Sequence, residues 1–410
     1  MKILFLTDNF PPEVNAPANR TYEHCREWVK EGVQVTVITC APNFPKGKVY
    51  RGYKNKFYSK EEIDGIKVIR VWTYITANEG FIKRILDYIS FAFMSFWFGL
   101  FRKTDLIVAT SPQFFTAVSG WLLGFFKGKK WVMEVRDLWP ESIVAVGAMK
   151  NKFILNFFER LEKRLYKSAY KIVVVTDNFK EKIIKKGIDG NKISVFKNGV
   201  LLDNYFVEPK SKYLLDKYNL HGKFVYAYIG THGLAHALDF ILNAIVELKD
   251  SHPDLVFLFM GDGAKKDELR QIAKEKNITN ALFLDSVSKK EVKDYLNLID
   301  VALVNLKKSD TFKMVIPSKI FEVAAAQKPI LLGLEGETKE IINQYNAGLC
   351  FEPENKNEFL KMLLELYTDK ETYISCQEGC VKLANDFNRK KIALEMLEEI
   401  VSTKWLNTIK

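Results

Sequence analysis

Two charged residues stand three apart in "VIPSKIFEVAAAQKPILLG" (315–333), Lys319 and Glu322. Ser318 just before them suits a helix N-cap, and Pro329 ahead of an apolar run announces a strand. The spacing predicts that Lys319 and Glu322 share one face of a short, alanine-rich helix. A capping box would need its acid at Phe321, so Glu322 is not placed to cap. The bland reading is a surface ion pair worth about 0.2–0.5 kcal/mol. The other is that a cation and a carboxylate are held at the mouth of a helix for a ligand.

Further candidates lie where strands end. "YIGTHGLAHALDF" (228–240) sets Gly230 and Gly233 around Thr231 and His232 ahead of a helix. Backbone N–H groups at such a start suit a phosphate, although a plain strand-to-helix turn has the same composition. "FMGDGAKKDEL" (259–269) repeats the arrangement with Gly261, Asp262 and Gly263. In the first half, "TDNFPPEVNAPANRTYEH" (7–24) reads as a long loop leading to Asn19 and Arg20 on a helix. "MEVRDLWPES" (133–142) puts Glu134, Arg136 and Asp137 at the end of a hydrophobic strand, where charges are costly unless paired or used. There is no GxxxxGK[ST] loop, no GxGxxG after the first strand, no HExxH and no GxSxG. No Asp-x-Asp occurs either, so neither a metal nor another cofactor is expected.

The elements that position these residues follow from the hydrophobic pattern. "KILFLT", "VQVTVIT", "IKVIRVW", "DLIVAT", "KWVMEV" and "KIVVVT" alternate with helical stretches, and a second set begins after about residue 200. That set is "KFVYAYIG", "LVFLFMG", "ALFLDS", "DVALVNL", "PILLGL" and "AGLCFEP". Continuous apolar runs between helices imply parallel strands covered on both faces. The reading is therefore an α/β chain of two doubly wound domains, 1–197 and 198–387, with a terminal helix in 388–410 expected to pack back on the first. Ligands in such sheets sit beyond the carboxyl ends of the strands, so two facing domains would leave a cleft.

Composition bounds the partners. The chain has 410 residues, 48% hydrophobic and 27% charged, as a folded two-domain protein should. Its five cysteines show no zinc spacing, and "MKILFL" is too short for a signal peptide, which together suggest a cytoplasmic setting. A net charge of +11 calls for an anionic partner. Basic residues are scattered among acids without a nucleic-acid motif, so no nucleic acid is expected. One segment favours lipid: Ile89 to Phe101 is uncharged, mostly apolar and aromatic, bracketed by Lys83 and Arg84 and by Arg102 and Lys103. It is shorter than the ~20 residues of a membrane span. It is either a core helix or one lying in the membrane interface.

The order of these pieces resembles retaining glycosyltransferases of family 4, over nearly the whole chain. In that family a second-domain helix begins near E-G-F-G-L-P-x-x-E and continues A-M-A-x-G-x-P-V; here Glu322, Ala325 and Pro329 match, while Met314 replaces the first Glu. "KNGV" (197–200), "MGDG" (260–263), "GETKEII" (336–342) and "NAGLCFEPEN" (346–355) match as well. The resemblance implies the GT-B fold, with Glu322 on the donor's ribose and Ser318, Gly261, Asp262 and Gly263 at the donor. The family's G-R-x-x-x-x-K stretch departs: Thr231 stands at the Arg and His236 at the Lys. The backbone of Gly230, Thr231, His232 and Gly233 is then expected to hold the diphosphate, with Lys319 supplying the lost charge. Arg136 and Asp137 replace the family's His-Asp pair, which makes Asp137 a catalytic candidate beside Lys319 and Glu322. Asn19, Arg20, Glu134 and Arg136 are expected at the acceptor.

The subgroup resembled builds bacterial O-antigen and capsule units on a polyprenyl-diphosphate carrier, some members transferring N-acetylated deoxysugars. It implies a nucleotide-diphosphate sugar donor, UDP-linked by expectation, and a polyprenyl-diphosphate-linked saccharide acceptor met at the anionic inner face of the cytoplasmic membrane. The alternatives are a non-hydrolysing nucleotide-sugar epimerase of the same fold and a basic nucleic-acid-binding protein.

Overall fold

Branched and apolar side chains on successive residues, as in "KILFL" and "VALVN", suit strands shielded on both sides. The computed structural model describes residues 1–44, 46–76, 81–111, 113–141, 151–288 and 291–401, and there these runs form two separate sheets. The chain divides into two compact units, Met1–Lys197 with Arg389–Lys410, and Asn198–Asn388.

Unit one begins β1 (Lys2–Leu6), α1 (Ala16–Lys30), β2 (Gln34–Cys40), β3 (Tyr58–Ile63) and β4 (Ile66–Val71). It continues with α2 (Phe81–Leu100), β5 (Leu106–Thr110), α3 (Phe114–Lys127) and β6 (Lys130–Val135). After α4 (Lys152–Ser168) come β7 (Lys171–Val174), α5 (Asp177–Lys185) and β8 (Ile193–Val195). The sheet order is β3-β4-β2-β1-β5-β6-β7-β8, parallel except for β3, which runs antiparallel to β4. Neither β3 nor β8 stands out in the sequence. The β3 strand, "YSKEEI", is an edge whose charges discourage pairing with another chain, so it lacks an apolar run.

Unit two runs α6 (Lys212–Tyr218), β9 (Phe224–Ile229), α7 (Leu238–Ile245), β10 (Leu255–Met260) and α8 (Lys266–Glu275). Then follow β11 (Ala281–Leu284), α9 (Val292–Leu298), β12 (Val301–Asn305), α10 (Lys319–Ala325) and β13 (Ile330–Gly333). It closes with α11 (Glu337–Tyr345), β14 (Gly348–Cys350), α12 (Lys356–Thr368) and α13 (Lys370–Asp386). All strands are parallel, in the order β11-β10-β9-β12-β13-β14. The chain then returns to unit one as α14 (Arg389–Ile400). There Met396, Leu397 and Ile400 join Phe5 and Trp28 in one core, and the Trp28 indole donates to the Ala393 carbonyl at 2.7 Å. Residues 402–410 of the expected terminal helix lie outside the described residues.

The α2 helix is apolar on two sides. Phe91, Met94 and Ser95 face the interior, and the helix lies so close to α3 that a Cβ at Gly99 would meet Leu123 at 2.6 Å. Leu86, Ile89, Phe93, Trp97 and, just past the helix, Phe101 face outward. The core reading thus holds for one face of the helix, while the other face is exposed. No helix of the described residues is long and apolar enough to cross a membrane.

Candidate functional site

In unit two the strand order reverses between β9 and β12, and the loops after these strands diverge there. This is the place where doubly wound sheets take ligands. The loop after β9 holds Gly230 to Gly233, and β12 is followed by the segment that leads into α10. That segment is tied down at its far end: a Cβ at Gly336 would lie 2.1 Å from the Lys313 carbonyl, and Thr338 donates to the Val315 carbonyl at 2.8 Å.

The two glycine loops form one interlocked layer. The Gly230 amide donates to Met260 and the His232 amide to the Asp262 carbonyl, both at 2.9 Å. A Cβ at Gly261 would sit 1.8 Å from the Gly230 carbonyl, and one at Gly263 would sit 2.5 Å from that of His232. Close backbone approach therefore accounts for both glycines, whose φ angles of +147° and +153° also favour glycine. The buried Lys266 ammonium holds the layer from beneath, donating to Gly261 at 2.8 Å, Leu284 at 3.1 Å and Asp285 at 2.6 Å. The Asn305 amide pins the other end through the His236 carbonyl at 2.8 Å.

This interlock corrects one expectation. The His232 N–H is engaged by Asp262 and is not offered to a phosphate; Thr231 and Gly233 do not donate in this layer. Nor does α7 follow the glycines directly, because a 3-10 turn at Leu234–His236 intervenes. Asp262 is exposed and accepts from the Gly263 amide at 2.8 Å. Burial, with Lys266 nearby, pulls the His232 ring down to about 4. Burial and Lys319 do the same for His236, so both rings are neutral at pH 7. Sequence reasoning passed over Lys266 and Asn305, although a lysine three residues past a glycine loop was a usable signal.

The charge at this place belongs to Lys319. Its ammonium lies over the Tyr228 ring, 4.2 Å from the centroid, and a Cβ at Gly230 would meet it at 2.7 Å. Burial pulls its pKa down to about 8, and Glu322 one turn along opposes that shift. Lys319 and Glu322 line one small cavity of about 30 Å³ with Ala227, Ile229 and Val304. Ser318 stands at the N-cap position of α10, but its side chain makes no capping bond; the Phe321 amide bonds its carbonyl instead.

Unit one revises the acceptor residues. Arg20 on α1 and Glu134 at the end of β6 are each 1% exposed and pair at 2.9 Å. Arg20 also donates to the Phe196 and Lys197 carbonyls at 2.8 and 3.0 Å. Arg20's donors are thus taken up in the interior and Glu134 is buried beside it, which sets both away from an acceptor. Glu23 pairs with Arg389 in the same interior, and burial beside Arg20 and Arg389 keeps His24 neutral. Asn19 caps back on the Val14 carbonyl at 3.0 Å and is half-buried. Arg136 differs: its Nε and Nη1 are buried without a hydrogen-bond partner among the described residues, and burial lowers its pKa to about 10. Asp137 follows it, half-buried, just beyond β6.

Two acids at unit one's own strand reversal, between β1 and β5, escaped the sequence reading. Burial, then Asp87 and Glu13, push the Asp8 carboxyl well above the usual range. Burial raises Asp87 on α2 to about 7. Among the described residues no group of three or more His, Cys, Asp or Glu is gathered as metal ligands.

Known proteins share these units. Residues 214–380 match the family described as glycosyl transferases group 1, and residues 15–199 match the glycosyl transferase 4-like domain. The chain is 24% identical over 367 residues to a protein of Escherichia coli named as a colanic acid biosynthesis glycosyl transferase, WcaI, covering 87% of this chain and 89% of that one. Sucrose-phosphate synthase from Thermosynechococcus elongatus matches with a TM-score of 0.75 at 14% identity over 100% of both chains. HepE from Anabaena, solved with UDP and glucose, matches with a TM-score of 0.71 at 14% identity, over 97% of this chain and 98% of that one.

Proposed function

This chain is a glycosyltransferase with the GT-B fold, and we propose that it is a retaining one acting in bacterial surface polysaccharide biosynthesis, of the O-antigen or capsule type. Its donor is a UDP-linked sugar, an N-acetylated deoxysugar among the candidates, and its acceptor a saccharide on a polyprenyl diphosphate. The acceptor is met from the cytoplasm at the inner face of the membrane. The observation that carries the donor half is Lys319, a half-buried lysine whose ammonium is set against Gly230 and the Tyr228 ring where unit two's strand order reverses. A diphosphate there would gain a charge-assisted bond from that ammonium. Glu322, lining the same cavity, would accept from the ribose hydroxyls. HepE's capture with UDP and glucose supports a UDP donor.

In the proposed reaction the acceptor hydroxyl forms its bond to the anomeric carbon on the face that the diphosphate leaves. The acceptor proton passes to a departing phosphate oxygen, so no separate base is needed. Catalysis then consists of stabilising charge on the leaving diphosphate, the role of Lys319, and on an oxocarbenium-like sugar. Asp137 and Arg136 remain the unit-one candidates for the sugar ring and the acceptor. No metal takes part in this reading.

A donor screen reading nucleotide-diphosphate release, with and without lipid-linked acceptor, tests the proposal. Release that requires the acceptor is expected. Turnover of the nucleotide-sugar with no acceptor would favour the epimerase, and no turnover of any donor would sink both. Glu322→Ala should lose donor affinity by calorimetry while the protein stays folded; wild-type affinity would return Glu322 to the surface pair.

A further inference from the structure

The outward stripe of α2 ends in a basic groove. Leu86, Ile89, Phe93 and Trp97 recur at helical spacing on the solvent side, and Phe101 continues the line. Phe93 is 62% exposed, Phe101 65% and, at the end of the neighbouring α3, Phe125 74%. A soluble surface has no use for aromatics aligned in this way.

Beside Phe101 and the exposed Phe126 opens a groove of about 710 Å³, at the amino-terminal edge of the sheet. Its cations are Lys2, Arg102, Lys103, Lys127 and Lys129. Its one acid, Asp105, already accepts from the Lys2 backbone amide at 2.8 Å. Arg102 contacts the Tyr58 hydroxyl at 3.3 Å, but among the described residues its buried Nε has no hydrogen-bond partner. Lys127 donates to the Leu100 carbonyl at 2.8 Å, and burial together with Lys129 lowers its pKa, as crowded cations do without a counterion. Excess positive charge, an unmet guanidinium N–H and flanking aromatics fit one occupant: a phosphate headgroup whose acyl chains lie beside the rings.

We propose that this groove binds an anionic phospholipid headgroup and that unit one lies on the bilayer along the α2 stripe, with the rings of Phe101, Phe125 and Phe126 in the interface. The proposal deepens, and rests on, the membrane-side acceptor proposed above. Lipid charge draws in the lysines and arginine, while the aromatics add a hold that salt does not screen. The groove lies at the opposite end of the strands from Arg136 and Asp137, so it is a docking site and not the acceptor site.

The test uses the full chain and vesicles of phosphatidylcholine alone or with about 30% phosphatidylglycerol. Lys103 and Lys129 are exposed, so the double variant Lys103→Glu/Lys129→Glu leaves the fold undisturbed. Lys361→Glu/Lys382→Glu on exposed positions of unit two makes the same change in net charge and serves as the control. The wild type and the control should pellet with the anionic vesicles at low salt, and the groove variant should bind about tenfold more weakly or worse. Phe101→Ser/Phe126→Ser should bind at low salt but be released at about 0.15 M salt, where the wild type stays bound. Equal binding by the groove variant and the control, or no binding by the wild type, overturns the proposal. Donor affinity measured without vesicles separates the two failures: intact donor binding with no docking would sink only this inference.

Discussion

Both units bury charges near the carboxyl ends of parallel strands, but the two sets are completed differently. In unit one, Arg20 finds Glu134 at 2.9 Å and two backbone carbonyls, and Glu23 finds Arg389. In unit two, half-buried Lys319 lies against a ring and a glycine, and desolvation lowers its pKa to about 8. A buried ion pair that satisfies its own donors is part of the scaffold. A half-buried cation with an acid nearby and, among the described residues, no ion pair of that quality is what the proposed donor site calls for.

The largest effect expected is on the scaffold. Arg20→Met leaves Glu134 buried without its partner and should cost about 3–5 kcal/mol in chemical denaturation. If Arg20 served an acceptor instead, stability would hold and only transfer would fall. Lys319→Met inverts the pattern: donor affinity should fall by about 1.5–3 kcal/mol, the strength of hydrogen bonds to charged groups. Stability should stay level or rise, since a costly buried charge is removed. A Lys319→Met protein as unstable as Arg20→Met would erase the distinction between the two regions.

Acidity sharpens it further. A diphosphate needs the protonated amine, and in the free protein Lys319 titrates at about 8. Donor affinity should therefore be full below that pH and fall as pH rises through it, by up to about tenfold per unit. Lys319→Arg should flatten the profile, because a guanidinium keeps its charge. An unchanged slope in that variant would move the titration elsewhere. The smallest effect is none at all: excess chelator should leave transfer intact, and loss restored by magnesium or manganese would overturn the metal-free reading.

The strands that carry the site were legible because each is an apolar run shielded on both faces, as "LVFLFM" and "VALVN" are. β3 was not, because an edge strand is written in lysine and glutamate, and β8 has three residues. Lys319 and Glu322 could be set on one helix face from spacing alone. Arg20 could not be read correctly, since the partner that defines it lies 114 residues away. A strand-end charge looks the same in sequence whether it closes on a neighbour or waits for a ligand. The engaged amide of His232 was hidden for a similar reason: which N–H a loop keeps depends on the loop beside it.

The return of α14 to unit one has a consequence for how the protein is made. Trp28, Phe5 and Glu23 leave the ribosome early, but the helix that covers and pairs them follows the whole of unit two. At roughly 5–20 residues per second, unit one waits on the order of 10–40 s with an apolar face open. Unit two, built from one uninterrupted stretch, has no such wait. The half that is translated first is completed last, and that interval is when a chaperone would find it.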